Sequence, residues 1–189
     1  MKEMNRREFL TLSGAAVVAL SLAGCGGPSA PPAPPAVPTG KETDLVAAIN
    51  KVWKEKHALG LVDHEQLTLN QEAQEAMKIQ GGIFENAQET VHKLTKDDKI
   101  ELGKIAGWEV IMEEKYGLGG AAGISEPSGD GVLSLTFEYS CEEAAVRTFV
   151  EELLNINSND RKAEYISIYC PVVQGKTYMF AAVFWNKTA

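Results

Sequence analysis

The chain has 189 residues, of which 44% are hydrophobic and 23% are charged, and its formal net charge is −8 at pH 7. An acidic balance argues against a nucleic-acid partner and against electrostatic adhesion to anionic lipid. Residues 41–189 are long enough to form a single domain with a buried core. Composition therefore excludes some partners without selecting a ligand.

Residues 1–24 have the three parts of a secretory signal peptide, namely a basic start, an apolar run and small residues at the cleavage point. The apolar run is too short, and too rich in Ser, Thr and Gly, for a comfortable membrane span of about 20 residues. Paired Arg6 and Arg7, followed by Phe9 and Leu10, resemble a twin-arginine export motif, which implies transport of a folded protein across a bacterial membrane. A retained N-terminal membrane anchor is the alternative interpretation.

The apolar run ends in Leu22-Ala23-Gly24-Cys25, which resembles a bacterial lipobox. The resemblance implies cleavage before Cys25 and attachment of lipid, such as palmitate, to this residue. Residues 25–40 follow as a proline-rich tether, which should be extended because proline lacks an N–H and fixes φ. At about 3 Å per residue, the tether could hold a domain up to roughly 45 Å from the membrane. We therefore predict a lipoprotein of the bacterial cell membrane or outer membrane that faces the periplasm or the cell exterior, with the membrane as a partner through Cys25.

The chain contains three cysteines. If Cys25 carries lipid, Cys141 and Cys170 remain as a pair in an oxidising compartment, which favours a disulfide. A bridge that closes a loop of about 30 residues would stabilise the fold by roughly 3–4 kcal/mol through the entropy lost by the unfolded chain. The alternative is two buried free thiols.

Hydrophobic periodicity predicts two helices at the start of the domain, over residues 43–57 and residues 70–79. Gly81-Gly82 should end the second helix, since glycine is a poor helix former. The glycine-rich run at residues 117–123 has neither the Lys-Ser/Thr of a P-loop nor the spacing of a dinucleotide fingerprint. This run is therefore predicted to be a loop.

The second half of the domain carries clearer signals. Alternating apolar residues predict a strand over residues 132–139. Ser140 and Glu143 fit a capping box at the start of a helix over residues 141–155. A two-stranded hairpin is predicted over residues 165–185. Together the elements indicate an α+β fold in which helices cover a small, mostly antiparallel sheet.

Short motifs at both ends of the domain follow a recognisable order. Near its start lie regularly spaced small and aliphatic residues, Leu61, Leu67, Leu69, Ala73 and Ala76. Near its end, helix 144–154 is followed by the polar turn 157–161 and by an aromatic hairpin that turns at Gly175. This order resembles the bacterial form of the CAP (SCP/PR1-like) superfamily over about half of the domain. The resemblance implies a three-layer α-β-α sandwich with a ligand cavity.

The cavity of that family usually carries two His and two Glu that can hold a divalent metal, and this chain departs from the pattern. Asp160 stands where the family has its last His, and the Gly-Glu-Asn motif has only distorted candidates at residues 107–111 and 84–87. Because imidazole suits zinc and carboxylates suit harder ions, this replacement argues against the family's metal site. We expect neither a metal nor another cofactor. The candidate ligand cleft comprises Trp108, Glu109, Ser158, Asp160 and Arg161.

Sequence motifs of common enzymes are missing, including His-Glu-x-x-His, Gly-x-Ser-x-Gly and Walker motifs. The leading hypothesis is thus a lipid-anchored CAP-like domain that binds an envelope ligand or protein partner without catalysis of its own. One alternative is an extracytoplasmic hydrolase, either a peptidase or a cell-wall enzyme, that uses Glu109 or Glu85 with His92. The other is a purely structural envelope lipoprotein.

Overall fold

A computed structural model of the protein describes most of the predicted domain. The described residues are 40–89, 114–125, 133–154 and 160–187, together with isolated positions between 95 and 112. The signal peptide and most of the tether lie outside these ranges.

Three helices and eight short strands are formed by the described residues. The helices are α1 (Gly40–Ala58), α2 (Gln71–Glu89) and α3 (Glu143–Leu153). The strands of the main sheet are β1 (Thr68–Leu69), β2 (Tyr116–Ala122), β5 (Tyr165–Tyr169) and β8 (Phe180–Asn186). Two small hairpins are built from β3 (Ile124–Ser125), β4 (Ser134–Leu135), β6 (Val172–Val173) and β7 (Lys176–Thr177).

The main sheet is mixed and has the strand order β1-β5-β8-β2. Strand β1 pairs with β5 in parallel, whereas β5 pairs with β8 and β8 with β2 in antiparallel directions. The prediction of an α+β fold with a sheet packed against helices is confirmed.

Alternate side chains of β8 belong to two hydrophobic clusters, because successive residues of a strand point to opposite faces. Ala181 and Val183 pack in the main core with buried residues of α1 and α3, including Trp53 and Phe149. Phe180 and Ala182 pack with Met77 of α2. The sheet therefore contacts α1 and α3 through one set of residues and α2 through the other.

Helix α2 continues through Gly81-Gly82, so the predicted helix end at these glycines is wrong. A β-carbon at Gly81 would overlap the ring of Tyr169 on β5. The absence of a side chain lets the helix approach the sheet here, and this packing offsets the poor helix propensity of glycine.

The glycine-rich run is strand β2, paired with β8, and the predicted loop is wrong. A β-carbon at Gly120 would overlap the backbone carbonyl of Leu153 at the end of α3. A β-carbon at Gly117 would overlap the indole of Trp185. The glycines therefore allow a helix end and an aromatic ring to lie directly on the strand.

The start of α3 also differs from the prediction. The helix begins at Glu143, its N-cap residue is Glu142, and no side chain makes a capping hydrogen bond. The hydroxyl of Ser140 instead accepts a hydrogen bond from the backbone N–H of Glu142 at 3.1 Å, so the predicted capping box is wrong.

The hairpin turn between β6 and β7 lies at Gly175, as predicted from the sequence. Gln174 and Gly175 have positive φ values of 52° and 76°. Two successive residues with positive φ form the type I′ turn that matches the twist of a two-residue hairpin.

Candidate functional site

The two ends of the main sheet are distinguished by their contacts with α1. The backbone N–H of Cys170, just after β5, donates to Oε1 of Glu42 in the first turn of α1 at 3.1 Å. Beyond the other end of α1, the N–H of Asp63 donates to the carbonyl of Arg161, which lies shortly before β5. Helix α1 and strand β5 therefore run in opposite directions. We call the end of the sheet near Glu42 the proximal end, and the end near Asp63 the distal end.

The distal end carries a cluster of three aromatic residues, Tyr116, Tyr165 and Phe184. The ring of Tyr116 lies edge-on to the other two, with centroid distances of 5.6 Å to Tyr165 and 5.1 Å to Phe184. Phe184 is fully buried, whereas both tyrosines are half-buried. Leu118, which pairs with Phe184 across the strands, is 39% exposed. This distal aromatic cluster thus consists of one buried phenylalanine ring and two partly accessible tyrosine rings.

Asn70 fixes one side of the distal aromatic cluster. Its Oδ1 accepts a hydrogen bond from the N–H of Ala73 at 2.9 Å, which caps α2. Its Nδ2 donates to the hydroxyl of Tyr116 at 2.9 Å. Next to this pair, Nζ of Lys115 lies 2.6 Å from Oε1 of Glu72 on the exposed surface. The side chain of Asn70 therefore both caps α2 and orients the ring of Tyr116.

The electrostatics of the distal end favour the neutral form of Tyr165. Burial raises the pKa of Tyr165, and the nearby carboxylate of Glu164 raises it further. A neutral phenol is a hydrogen-bond donor and acceptor at the edge of an apolar ring. Such a surface suits a ligand with both apolar and polar groups, because rings supply contact area and hydroxyls supply orientation.

Two of the candidate cleft residues, Asp160 and Arg161, belong to a turn at this same end. Asp160–Lys162 form a short 3-10 turn that packs against β2 and β8. The side chain of Arg161 is exposed and its Nη2 lies 3.3 Å from Oδ1 of Asp63. The remaining candidates fall outside the described residues, or have side chains that do: Trp108, Glu109, Ser158, His92 and the carboxylate of Asp160.

Glu85, the other acid considered for catalysis, lies at the proximal end of the sheet. Its Oε1 accepts a hydrogen bond from the N–H of Val172 at 2.6 Å, and its Oε2 accepts one from the hydroxyl of Tyr169 at 3.3 Å. Burial first, and the charge of Glu85 second, raise the pKa of Tyr169. Glu85 thus fastens α2 to β5 and β6, away from the turn that contains Arg161.

Both cysteines of the domain lie at the proximal end. Cys141 is exposed, Cys170 is buried, and both are free thiols. The hydroxyl of Tyr139 lies 3.2 Å from Sγ of Cys141 and donates to the carbonyl of Lys41 at 3.4 Å. The predicted disulfide stays a prediction.

The sequence analysis predicted Tyr165 on a strand of the C-terminal hairpin, but it named neither Tyr116 nor Asn70 as a residue of the candidate site. Tyr116 enters the cluster only through the pairing of β2 with β8, and the glycines of β2 concealed that strand. The signal that could have revealed it is the alternation of Tyr116 with Leu118, which places both on one face of a strand.

Among the described residues, no three His, Cys, Asp or Glu side chains come together in a group that could hold a metal ion. In the same part of the chain, no helix combines the length and the apolar character needed to cross a membrane. Comparisons of the chain with models of known protein families, with curated proteins and with solved structures find no match.

Proposed function

We propose that this protein is a lipid-anchored binding protein of the bacterial cell envelope, in which a CAP-like domain holds a ligand or protein partner at the distal end of its sheet. The observation that carries the proposal is the polarity of the domain. Gly40, where the predicted tether joins α1, belongs to the proximal end, and the distal aromatic cluster lies at the other.

The order of the described elements supports a CAP-like domain. Two helices come first, and α3, the polar turn, β5 and the aromatic strand β8 come last, as that family's pattern requires. Contacts of α1 and α3 with one set of strand residues, and of α2 with the alternate set, are consistent with a three-layer α-β-α sandwich.

The polarity gives the anchor and the binding surface separate positions. Helix α1 has 19 residues, which corresponds to about 28 Å of helix length. A tether attached at Gly40 would hold the proximal end toward the membrane, so the distal aromatic cluster would be presented away from it. An envelope ligand or partner could then reach Tyr116 and Tyr165 without competing with the lipid surface.

Two described carboxylates at the proximal end have structural roles, which favours binding over hydrolysis. Glu42 is buried and accepts the N–H of Cys170, and both oxygens of Glu85 accept hydrogen bonds. A general acid or base must reach the proton that it transfers, at about 2.6–3.2 Å from a substrate atom. Carboxylates that hold backbone groups at the proximal end serve the fold.

Site-specific photo-crosslinking in living cells tests where the partner binds. A photoreactive phenylalanine analogue would replace Leu118, which is 39% exposed beside the distal aromatic cluster. A matched variant would carry the analogue at Val172, which is 48% exposed at the proximal end. We expect a discrete crosslinked product from position 118 that is lost when Tyr165→Ala is added, and no such product from position 172.

Two outcomes would overturn the proposal. One is the same set of products from both positions. The other is the absence of any product from position 118 in cells that export the protein normally. Cleavage of a cell-wall glycan or peptide by the purified full chain, abolished by His92→Ala or Glu109→Gln, would favour a hydrolase instead.

A further inference from the structure

The two cysteines of the domain each adjoin the first turn of α1, although α3 lies between them in the sequence. Cys141 is held there through Tyr139, whose hydroxyl contacts Sγ of Cys141 and the carbonyl of Lys41. Cys170 is held there through its own N–H, which donates to Glu42. Lys41 and Glu42 are consecutive residues, so both cysteines adjoin the residues at which the chain enters the domain.

The backbone on either side of the cysteines is also joined. The N–H of Tyr139 donates to the carbonyl of Thr177 at 2.7 Å, and the N–H of Tyr178 donates to the carbonyl of Pro171 at 2.9 Å. Glu138 and Tyr178 form an isolated β-bridge. Because each cysteine adjoins this paired region, the two segments are already held side by side without a covalent link.

We propose that Cys141 and Cys170 form a disulfide at the entrance of the tether into the domain, with exposed Cys141 reacting first and buried Cys170 closing the bond. We call the linked pair the proximal clasp. It requires the oxidising compartment of the proposed function, but it does not depend on the distal ligand site.

The chemistry is thiol–disulfide exchange with a disulfide oxidant, either a small molecule or a disulfide-bearing oxidoreductase. The thiolate of Cys141 attacks one sulfur of the oxidant, forms a mixed disulfide and releases one thiol. The thiolate of Cys170 then attacks Sγ of Cys141 and releases the second thiol. The protein loses two protons and two electrons, and the oxidant is reduced to two thiols.

The order of the two steps follows from accessibility. Cys141 is exposed, whereas Cys170 is only 7% exposed and cannot readily meet an external oxidant. Burial, with the charge of Glu42 next, raises the pKa of Cys170 to about 12, so this thiol is a poor nucleophile toward reagents in solution. Its attack becomes effective when Cys141 presents a mixed disulfide within the same molecule, because the effective concentration is then high.

The two thiols share a local environment. The charge of Cys141 is among the causes that raise the pKa of Cys170, and both cysteines contribute to the raised pKa of Tyr139. For Tyr139 the largest cause is its hydrogen bond with Cys141, and burial comes next.

A redox titration of the full chain tests the proximal clasp. Cys25→Ala leaves Cys141 and Cys170 as the two remaining thiols, and the protein is equilibrated in detergent with mixtures of reduced and oxidised glutathione. We expect both thiols to disappear together, with a loss of about 2 Da and no stable glutathione adduct, because exchange ends in an internal disulfide. When Cys170→Ala is added to the Cys25→Ala protein, one glutathione adduct should accumulate at Cys141. The matched variant Cys141→Ser should keep Cys170 unmodified.

The proposal is overturned if the unsubstituted pair retains one glutathione or if the two thiols titrate independently. It is equally overturned if the adduct on the Cys170→Ala protein forms no faster than an adduct on the Cys141→Ser protein. The order of the two steps is judged from the adduct on Cys141, which is already exposed. A change in the fold caused by replacement of buried Cys170 therefore does not decide the outcome alone.

Discussion

The two ends of the sheet are built from different kinds of contact. At the proximal end, polar groups fasten the first turn of α1 to its neighbours: Nζ of Lys41 lies 2.6 Å from Oγ1 of Thr177, and Glu42 accepts the N–H of Cys170. At the distal end, two half-buried tyrosines lie against buried Phe184, and one of them, Tyr116, accepts a hydrogen bond from the amide of Asn70. Under the proposed function, one sheet would thus place attachment at one end and recognition at the other.

The largest expected effect concerns attachment at the proximal end. Cys25→Ser removes the sulfur that the lipobox resemblance assigns to the lipid, so the lipidated mature protein should disappear completely. Intact mass measurement of the membrane and soluble fractions would detect the change. Cys141→Ser is the matched control and should leave the lipidated mass in the membrane. Unchanged membrane retention of Cys25→Ser at an identical mature mass would contradict the anchor and would remove the reason for calling this end proximal.

A smaller effect is expected from pH, also at the proximal end. The pKa of Cys170 rises from 9.0 to about 12 in the folded, reduced protein, because the thiol is buried and faces Glu42, with Lys41 opposing and Cys141 adding to the shift. A raised pKa stabilises the fold fully below about pH 9, and this contribution is lost as the pH rises toward about 12. The free energy of unfolding should therefore fall by up to about 1.4 kcal/mol per pH unit in that window.

Denaturant titrations of the reduced protein between about pH 8 and pH 10 measure this slope. The pKa values of Tyr139 and Tyr169 are also raised, so the Cys170 contribution is the difference between the parent protein and Cys170→Ala. The oxidised protein should lack that contribution because it has no thiol to titrate. Equal slopes in all three proteins would mean that Cys170 is not held in a buried, neutral form.

The smallest effect is expected at the distal end. Asn70→Ala removes both the cap of α2 and the hydrogen bond to Tyr116, and it should destabilise the protein by about 1 kcal/mol. Tyr116→Phe removes the second contact alone and should cost less. A double-mutant cycle on these two residues, measured by denaturant unfolding, would give the coupling between them. Zero coupling would show that the amide does not fix the ring.

The parts of the fold that could be predicted depend on local signals. Apolar spacing located α1, and the residues around Gly175 located the hairpin turn, because each pattern is complete within a short stretch of chain. Strand β2 and the second half of α2 could not be predicted in this way. Their glycines are explained by Leu153, Trp185 and Tyr169, which are remote in sequence.

The candidate site follows the same rule. Tyr165 was visible as an aromatic residue on a predicted strand, but its partner Tyr116 depends on strand order and register. The proximity of the cysteines to the start of α1 depends on the opposite directions of α1 and β5. The features that the sequence patterns missed, both in the fold and in the candidate site, therefore depend on contacts between residues that are remote in sequence.

Under the proposed lipid anchoring, the two edge strands of the main sheet, as formed by the described residues, bear on how copies of the protein would behave when crowded on a membrane. One edge strand is β1, which has only two residues, and the other is β2, whose pairing with β8 is irregular between Leu118 and Gly120. Unpaired backbone groups along a long, flat edge strand are a template for aggregation between molecules, whereas short or bulged edge strands resist aggregation. Neighbours held by the proposed lipid anchor would collide often in two dimensions, and the described edge strands offer them little free backbone to pair with. The glycines of β2 and the brief parallel strand β1 thus limit edge-to-edge pairing through the described strands.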